Sequence, residues 1–279
     1  IQDMEILNHF NATASLRSSL GIQGVTNRSG NDGTITRFGW KAQNKSITMF
    51  AGEAYNVEMG VTNELFPQAT DETPACNQGK SEPNDITRMD SNDTRNQSFN
   101  NPLHEIADWL QFTLMMRFLD GPKPAPFSAS ATRGQQLFGT GVSNPGIGCF
   151  ACHTPQMVTA PQSETDALAG KPVNLFSDLL VHHMGPGLAD NITQGAAQGD
   201  MFRSTPLWGV GQRIFFLHDG RTDDILQAVL AHASGDGNDD EHGDNGGGFP
   251  PSEANAVIAR FKALSANDRQ AILDFLRSL

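Results

Sequence analysis

The sequence has no run of about 20 apolar residues, the length that a helix needs to cross a lipid bilayer. It is also poor in positive charge, with 19 Lys and Arg against 31 Asp and Glu and a formal net charge of -12. A surface of this sign repels nucleic acid and anionic lipid, so it argues against both as partners. We therefore expect a chain without a membrane span whose partners are basic or neutral proteins.

Cysteine is scarce as well, since the chain has only three. Two of them stand in the segment Cys149 to His153, which reads C-F-A-C-H, and C-x-x-C-H is the attachment signal for a c-type haem. Cys149 and Cys152 can each add to a haem vinyl group, and His153 then places an imidazole under the iron as proximal ligand. The alternatives are a redox C-x-x-C pair and half of a zinc site, but zinc needs about four ligands and no second cysteine pair occurs. The third cysteine, Cys76, is either a free thiol or the partner of a cysteine on another segment.

A start methionine and a signal sequence are absent too. The chain begins with Ile1, and its first residues form neither a basic n-region nor an apolar h-region. We interpret the chain as a processed polypeptide whose targeting segment has been removed. Covalent haem attachment in bacteria takes place outside the cytoplasmic membrane, so the expected location is the periplasm, the cell surface or the extracellular space.

The length of 279 residues allows one large or two small domains. A Gly- and Pro-rich stretch, Gly121 to Pro126, stops the preceding helical pattern and marks the predicted boundary between domains at residues 1–120 and 127–279. Apolar residues at helical spacing predict helices at about residues 4–7, 46–58, 103–119, 130–138, 222–232 and 265–279. Polar stretches at residues 21–33, 67–102 and 235–248 are predicted to be surface loops.

A haem that transfers electrons has a sixth ligand to its iron, and His232 is the first candidate. It continues the apolar stripe of a helix that Thr222 is predicted to cap, and burying an imidazole there is costly unless it binds a metal or a hydrogen-bond partner. Met184 is the alternative, and a Met ligand in place of His would raise the reduction potential. A third interpretation makes His182, His218 and His232 ordinary core histidines whose imidazoles bond to backbone carbonyls.

Further segments are similar to one protein family. They read R-F-G-W-K-A at residues 37–42, N-V-E-M-G at 56–60, D-L-L-V-H-H-M-G-P-G-L-A-D at 178–190, R-S-T-P-L-W-G at 203–209 and F-L-H-D-G-R at 216–221. Together with C-x-x-C-H they cover nearly the whole chain in the order of that family. On these segments the chain resembles the bacterial di-haem cytochrome c peroxidase superfamily, and most closely its di-haem oxidoreductase branch.

The resemblance implies a mechanism with two haems. A six-coordinate C-terminal haem takes electrons from a small donor protein or an adjacent cytochrome and passes them to an N-terminal haem, where peroxide is cleaved. In the peroxidases the distal Met stands fourteen positions after the His of an F-H-D-G block, and the same count from His218 leads to His232. Glu58 matches the acid that shuttles a proton at the peroxide-binding haem, and its alternative is a solvated helix-end residue. Trp40 lies in the block that supplies a tryptophan between the haems, although an ungapped count points to Phe38 and core packing is the alternative.

Two features depart from the family pattern. The first C-x-x-C-H of the family would stand before R-F-G-W, and residues 1–36 contain none. The second haem is therefore expected from a segment outside this sequence or from a partner polypeptide. The peroxidases also bind calcium partly through a Thr-x-Pro, and the matching positions here are Arg213 and Phe215. Backbone carbonyls could still bind a calcium ion there, but these side chains do not favour one.

The expected fold is mostly α, with a loop-rich cytochrome c-like C-terminal domain and an incomplete α-rich N-terminal haem domain. The leading hypothesis for function is an oxidoreductase of the di-haem peroxidase type. Electrons would enter at the haem of Cys149, Cys152 and His153, pass Trp40, and reach peroxide or another substrate at the second haem near Glu58. The alternative is a mono-haem electron carrier or structural subunit of a larger assembly, without catalysis of its own.

Overall fold

The computed structural model describes residues 1–69, 83–87, 106–163, 165–235 and 248–279. Three features of the sequence analysis fall wholly or largely outside these ranges. They are Cys76, most of the polar stretches at 67–102 and 235–248, and the first residues of the helix predicted at 103–119.

Two compact units make up the chain. The first unit comprises Ile1–Gln43 and Gly121–Leu279, and the second unit comprises Asn44–Asp120. The first 43 residues thus belong to the same unit as the C-terminal part of the chain. The two domains predicted from the sequence, at residues 1–120 and 127–279, stay a prediction.

Eight α-helices occur among the described residues. They are α1 (Asp3–Ala12), α2 (Ala14–Leu20), α3 (Ile47–Val57), α4 (Asp108–Phe118), α5 (Ala129–Phe138), α6 (Ile225–Leu230), α7 (Asn255–Ala263) and α8 (Ala266–Ser278). Four short strands form two antiparallel pairs, β1 (Met157–Val158) with β2 (Pro172–Val173) and β3 (Val181–His183) with β4 (Met201–Arg203). Helices are therefore the main regular structure, in agreement with the mostly α expectation, whereas the cytochrome c-like arrangement stays a prediction.

Serine side chains begin three of the helices. The hydroxyl of Ser46 accepts the Met49 amide at 3.1 Å, and that of Ser265 accepts the Asp268 amide at 3.1 Å. Ser128 starts α5 in the same way. Each hydroxyl satisfies one of the amides that the first helical turn leaves without an intrahelical acceptor. The predicted helices at 46–58, 130–138 and 265–279 are thereby confirmed, with ends that differ by at most one residue.

The start of α6 differs from the prediction. Asp224 caps this helix, because its carboxylate accepts the Leu226 amide at 2.8 Å. Thr222 lies two residues earlier, and its hydroxyl accepts the Asp224 amide at 3.1 Å. Thr222 therefore binds the residue before the helix, whereas the amide of the first helical turn bonds to the Asp224 carboxylate. The helix predicted at 222–232 is therefore shorter, and His232 lies just after it.

The crossing of α5 and α8 organises the core of the first unit. Gly134 on α5 lies so close to α8 that a Cβ atom there would overlap the Ala271 carbonyl oxygen. Around this crossing Phe138, Phe261 and Phe275 are almost fully buried. The glycine lets the two backbones approach, and the large aromatic side chains fill the space beside the crossing.

The β3–β4 pair lies in the same unit and links it to the N-terminal segment. Val181 pairs with Arg203, and Val181 also bridges to Val25. The Arg203 amide, on the other side of β4, donates to the Trp40 carbonyl oxygen at 2.7 Å. Segments far apart in sequence are thus held at fixed distances by backbone hydrogen bonds.

The second unit is organised around α3 and α4. The carboxylate of Asp85 accepts the Trp109 amide at 2.9 Å at the start of α4, and the Trp109 indole donates to Glu64 at 2.9 Å. On α3, the Gly52 carbonyl oxygen accepts a hydrogen bond from the buried Asn63 side chain at 2.8 Å. Polar bonds as well as apolar contacts therefore hold this unit together. No helix in the described part of the chain is long and apolar enough to cross a membrane.

Candidate functional site

The first unit contains a cavity with a mostly apolar wall. The helices α5, α6, α7 and α8 all contribute to this wall, through side chains such as Phe138, Ala228, Phe261 and Leu276. The segment Cys149 to His153 and residues of β3 and β4 supply the polar part of the lining. Polar groups that face such a wall interact more strongly than they would in water.

The C-x-x-C-H segment forms a tight turn at the cavity. Cys149–Ala151 is a single turn of 3-10 helix, and the amides of Cys152 and His153 donate to the Cys149 carbonyl oxygen at 3.3 and 3.0 Å. Gly148, which precedes the turn, has a φ of 111°, a value that favours glycine. The turn brings both cysteines and His153 to the cavity lining.

Both thiols are held in their neutral form. Burial raises the pKa of the Cys149 thiol to about 12, and burial also raises the pKa of Cys152. A redox C-x-x-C pair requires the opposite, a thiol whose pKa is lowered so that the reactive thiolate forms. The environment therefore disfavours the redox-pair alternative.

The imidazoles of His153 and His232 are both held by their Nδ1 atoms. His153 Nδ1 lies 3.0 Å from the Phe176 carbonyl oxygen, and His232 Nδ1 lies 2.7 Å from the Ala228 carbonyl oxygen. A carbonyl accepts only from an N–H, so Nδ1 carries the proton in each neutral ring and Nε2 keeps its lone pair. No residue in the described part of the chain bonds to either Nε2 atom. Burial lowers the pKa of both histidines, that of His153 to about 4.

The sequence also allowed His182, His218 and His232 to be core histidines that bond to backbone carbonyls, and their surroundings differ. His232 does bond to a backbone carbonyl, but only through Nδ1, so this bond is compatible with a metal ligand as well. His182 bonds to carboxylates, and His218 stacks on Phe202 with ring centroids 4.2 Å apart. Met184 lines the cavity too. The choice between His232 and Met184 as the sixth ligand stays a prediction.

The chain matches the protein family described as "di-haem oxidoreductase, putative peroxidase" over residues 23–279. The chain belongs to this family. No curated protein and no solved structure was found to match it. The description of the family names haem, the group that a C-x-x-C-H segment attaches.

Trp40 forms part of an aromatic group at the cavity. Its ring centroid lies 6.3 Å from that of His218 in an edge-on arrangement, and His218 stacks on Phe202. The Lys41 ammonium lies 4.0 Å from the centroid of the Phe202 ring and 2.7 Å from the Asp190 carboxylate. Trp40 is therefore both a packing residue and a cavity residue, and its role between two haems stays a prediction.

Glu58 belongs to the second unit. It directly follows α3, its backbone amide donates to the Ala54 carbonyl oxygen at 2.9 Å, and its side chain is exposed. Its catalytic role stays a prediction.

A buried ionic cluster beside Cys152 was missed in the sequence analysis. His182 Nε2 lies 3.0 Å from Asp178, and His182 Nδ1 lies 2.8 Å from Glu253. Burial opposes a charge on His182, but the charge of the Asp178 carboxylate and its hydrogen bond raise the pKa of His182 well above its ordinary value. Burial would raise the pKa of both carboxyls, and their bonds to His182 instead lower it. The cluster thus holds one imidazolium between two carboxylates.

The same cluster brings three ligand-type atoms, from Cys152, Asp178 and His182, within 4.8 Å of one another. Both nitrogens of His182 already donate to carboxylates, so the ring has no lone pair to offer a metal. The hydrogen-bonded cluster is therefore the better description. From sequence, only the spacing of Asp178 and His182 in the family block hinted at it, and Glu253 lies 71 residues from His182.

Proposed function

We propose that this chain is a c-type haem oxidoreductase of the di-haem peroxidase type. The observation that carries the proposal is the convergence of two thiols and two imidazoles with free Nε2 atoms on one apolar cavity. Family membership supports the haem, and the neutral form of the buried thiols argues against the redox-pair alternative.

The residues at the cavity fit a c-type haem. Cys149 and Cys152 would hold it through thioether bonds, His153 would be the proximal ligand, and His232 would be the sixth ligand. Bound there, the haem would supply one-electron redox chemistry at its iron. The C-x-x-C-H thiols match the vinyl groups of a haem, the free Nε2 atoms match its iron, and the apolar wall matches its ring.

The chain contributes orientation and exclusion of water. The carbonyl oxygens of Phe176 and Ala228 fix the Nδ1 proton of each imidazole and leave Nε2 as the only nitrogen that can bind a metal. The aliphatic and aromatic side chains of α6, α7 and α8 line the cavity and would exclude water from a bound haem. A dry, rigid environment reduces the structural change that accompanies electron transfer.

We further propose that Trp40 lies on the path by which electrons leave the cavity and that Glu58 serves a second haem. Reduction of one peroxide molecule to two water molecules consumes two electrons and two protons. Electrons would come from a small redox donor protein or an adjacent cytochrome. Glu58, an exposed carboxylate, would transfer protons to the peroxide oxygens.

A specific observation favours a second candidate function. Two imidazoles with free Nε2 atoms would saturate the iron, which leaves no open position for a substrate at this cavity. A chain with only this haem would be an electron carrier or a structural subunit of a larger assembly. α5 precedes the C-x-x-C-H turn, and α8 crosses α5 at Gly134. This order would suit a cytochrome c-like domain in both candidates.

The variant Glu58→Gln tests the catalytic candidate. We expect peroxide turnover to fall by about two orders of magnitude or more, because a proton donor contributes on that scale. The absorption spectrum of the His153 haem should not change. Asp120→Asn, which neutralises another exposed carboxylate of the second unit, is the matched control and should keep full turnover. Equal turnover of both variants would remove Glu58 from the mechanism.

The haem count separates the two candidates. Intact mass and the pyridine haemochrome assay on the native protein give the number of haems per polypeptide. Two haems, or one haem together with a haem-bearing partner, favour the enzyme. One haem, no such partner and no peroxide turnover favour the electron carrier.

A further inference from the structure

Arg203 is a cation of the cavity wall that has no carboxylate partner within the described ranges. It lines the cavity, and its guanidinium forms no ion pair with any residue in the described ranges. Lys41, by contrast, is paired with Asp190, and Arg37 is paired with Asp3. A charge in an apolar wall without a counter-ion is unfavourable, so its retention calls for an explanation.

The backbone and one side-chain nitrogen of Arg203 are fixed. Its amide donates to the Trp40 carbonyl oxygen at 2.7 Å, and its Nε atom donates to the Gly39 carbonyl oxygen at 2.9 Å. The two terminal nitrogens, Nη1 and Nη2, have no hydrogen-bond partner among the described residues. The side chain is therefore held on one edge, and the fork of the guanidinium stays available for a ligand.

The guanidinium keeps its charge at neutral pH. Burial lowers the pKa of Arg203 to about 10, which still leaves it positive under ordinary conditions. A planar fork of two N–H donors matches the two oxygens of a carboxylate. In an apolar wall such a pair is stronger than it would be on the surface.

We infer that Arg203 binds a propionate carboxylate of the haem in this cavity. The inference rests on the proposed function, since it requires a haem between His153 and His232. It adds a positioning role, because the ion pair fixes the orientation of the ring about the axis through the iron. It adds an electrostatic role too, since a paired propionate stabilises the oxidised, more positive iron less than a free propionate does.

The test is a potentiometric titration of Arg203→Gln in the haem-loaded protein. Loss of the guanidinium leaves the propionate negative and unpaired, so the oxidised iron is stabilised and the midpoint potential falls. We expect at least a tenfold change in the reduction equilibrium, which is 59 mV for a one-electron couple. The unpaired propionate should also take up a proton near neutral pH, and a new pH dependence of the potential should appear.

Two variants serve as controls. Arg203→Lys keeps the charge but loses the fork, so its shift should be smaller than that of Arg203→Gln, and it replaces that variant if the glutamine protein does not fold. Arg213→Gln removes an exposed arginine whose guanidinium lies 6.0 Å from the centroid of the Trp40 ring. Solvent screens this exposed charge, so the potential should change little.

Several outcomes would overturn the inference. An unchanged potential and pH profile in Arg203→Gln, with a normal haem count, would reject the ion pair and leave the proposed function intact. A larger shift in Arg213→Gln than in Arg203→Gln would assign the propionate to Arg213. A wild-type potential that depends on added acetate would show that Arg203 binds anions from solution instead. Absence of haem from the wild-type protein would reject the proposed function itself.

Discussion

His232 influences His153 through the cavity that both residues line. After burial, the positive charge of His232 is the largest cause that lowers the pKa of His153, which is about 4. The two imidazoles therefore oppose each other when charged and are both neutral at neutral pH. Neutral imidazole is the form that binds a metal, so both rings are in the form that the proposed ligation of a haem iron requires.

The first prediction concerns the sixth ligand. In His232→Ala, the absorption and electron paramagnetic resonance spectra should lose the signature of a six-coordinate, low-spin iron. In His232→Met, a thioether in place of an imidazole should raise the midpoint potential. Met184→Ala should leave both the spectra and the potential as they are in the wild type. The opposite pattern, with loss of the low-spin signature in Met184→Ala alone, would make Met184 the ligand.

The second prediction concerns the helix crossing. Gly134→Ala should reduce the free energy of unfolding by about 1–3 kcal/mol, the usual cost of forcing an extra group into a packed core. The added methyl would overlap the Ala271 carbonyl oxygen, and backbone yields less readily than a side chain. Urea denaturation followed by circular dichroism measures the change. Gly30→Ala is the control, because a Cβ at that exposed position meets no atom within 4 Å. Equal stability of the two variants would show that α5 and α8 do not touch at Gly134.

The third prediction concerns stability against pH. The lowered pKa values of Asp178 and Glu253 give a stabilisation that is complete above their unfolded values, about 4, and is lost as the pH falls from there through their lower folded values. The raised pKa of His182 gives a stabilisation that is complete below its unfolded value, about 6.5, and is lost as alkaline pH deprotonates the folded state. The stability profile should therefore decline on both sides.

The variant His182→Gln tests this profile. It leaves two buried carboxylates without their cation, so we expect a loss of about 3 kcal/mol at neutral pH, with a flatter decline toward alkaline pH. Denaturant titrations at a series of pH values measure both effects. His9→Gln, at a partly exposed pair with Glu5, should change the profile little. A His182→Gln profile that runs parallel to that of the wild type would contradict the charged state of His182.

Local sequence signals predicted the local features of this fold. The C-x-x-C-H turn and the serine-capped helices follow from short patterns, because thiol spacing and a cap involve residues three or four positions apart. Helices α2 and α7 were missed, since short helices in mixed segments depend on packing for most of their stability. The strands were missed for a similar reason, because two or three residues carry no alternating pattern.

The candidate site was predictable only where one segment carries it. Cys149, Cys152 and His153 are adjacent in sequence, and His232 was found through the apolar stripe and the family count. The bond from His182 to Glu253 joins distant segments of the chain. Whether Arg203 has an ion-pair partner also depends on residues from distant segments. A sequence pattern does not reveal whether a charged residue has found a counter-ion, because pairing is a property of the folded arrangement.

The position of α8 in the chain bears on the order in which the parts of the proposed haem site would form. Its side chains Ile272 and Leu276 form part of the cavity wall, and α8 follows the C-x-x-C-H turn far downstream. A chain that emerges from its N-terminal end presents both thiols before this part of the wall exists. A haem-attachment enzyme would thus meet an open cavity, and docking of α8 at Gly134 would seal the cofactor in afterwards.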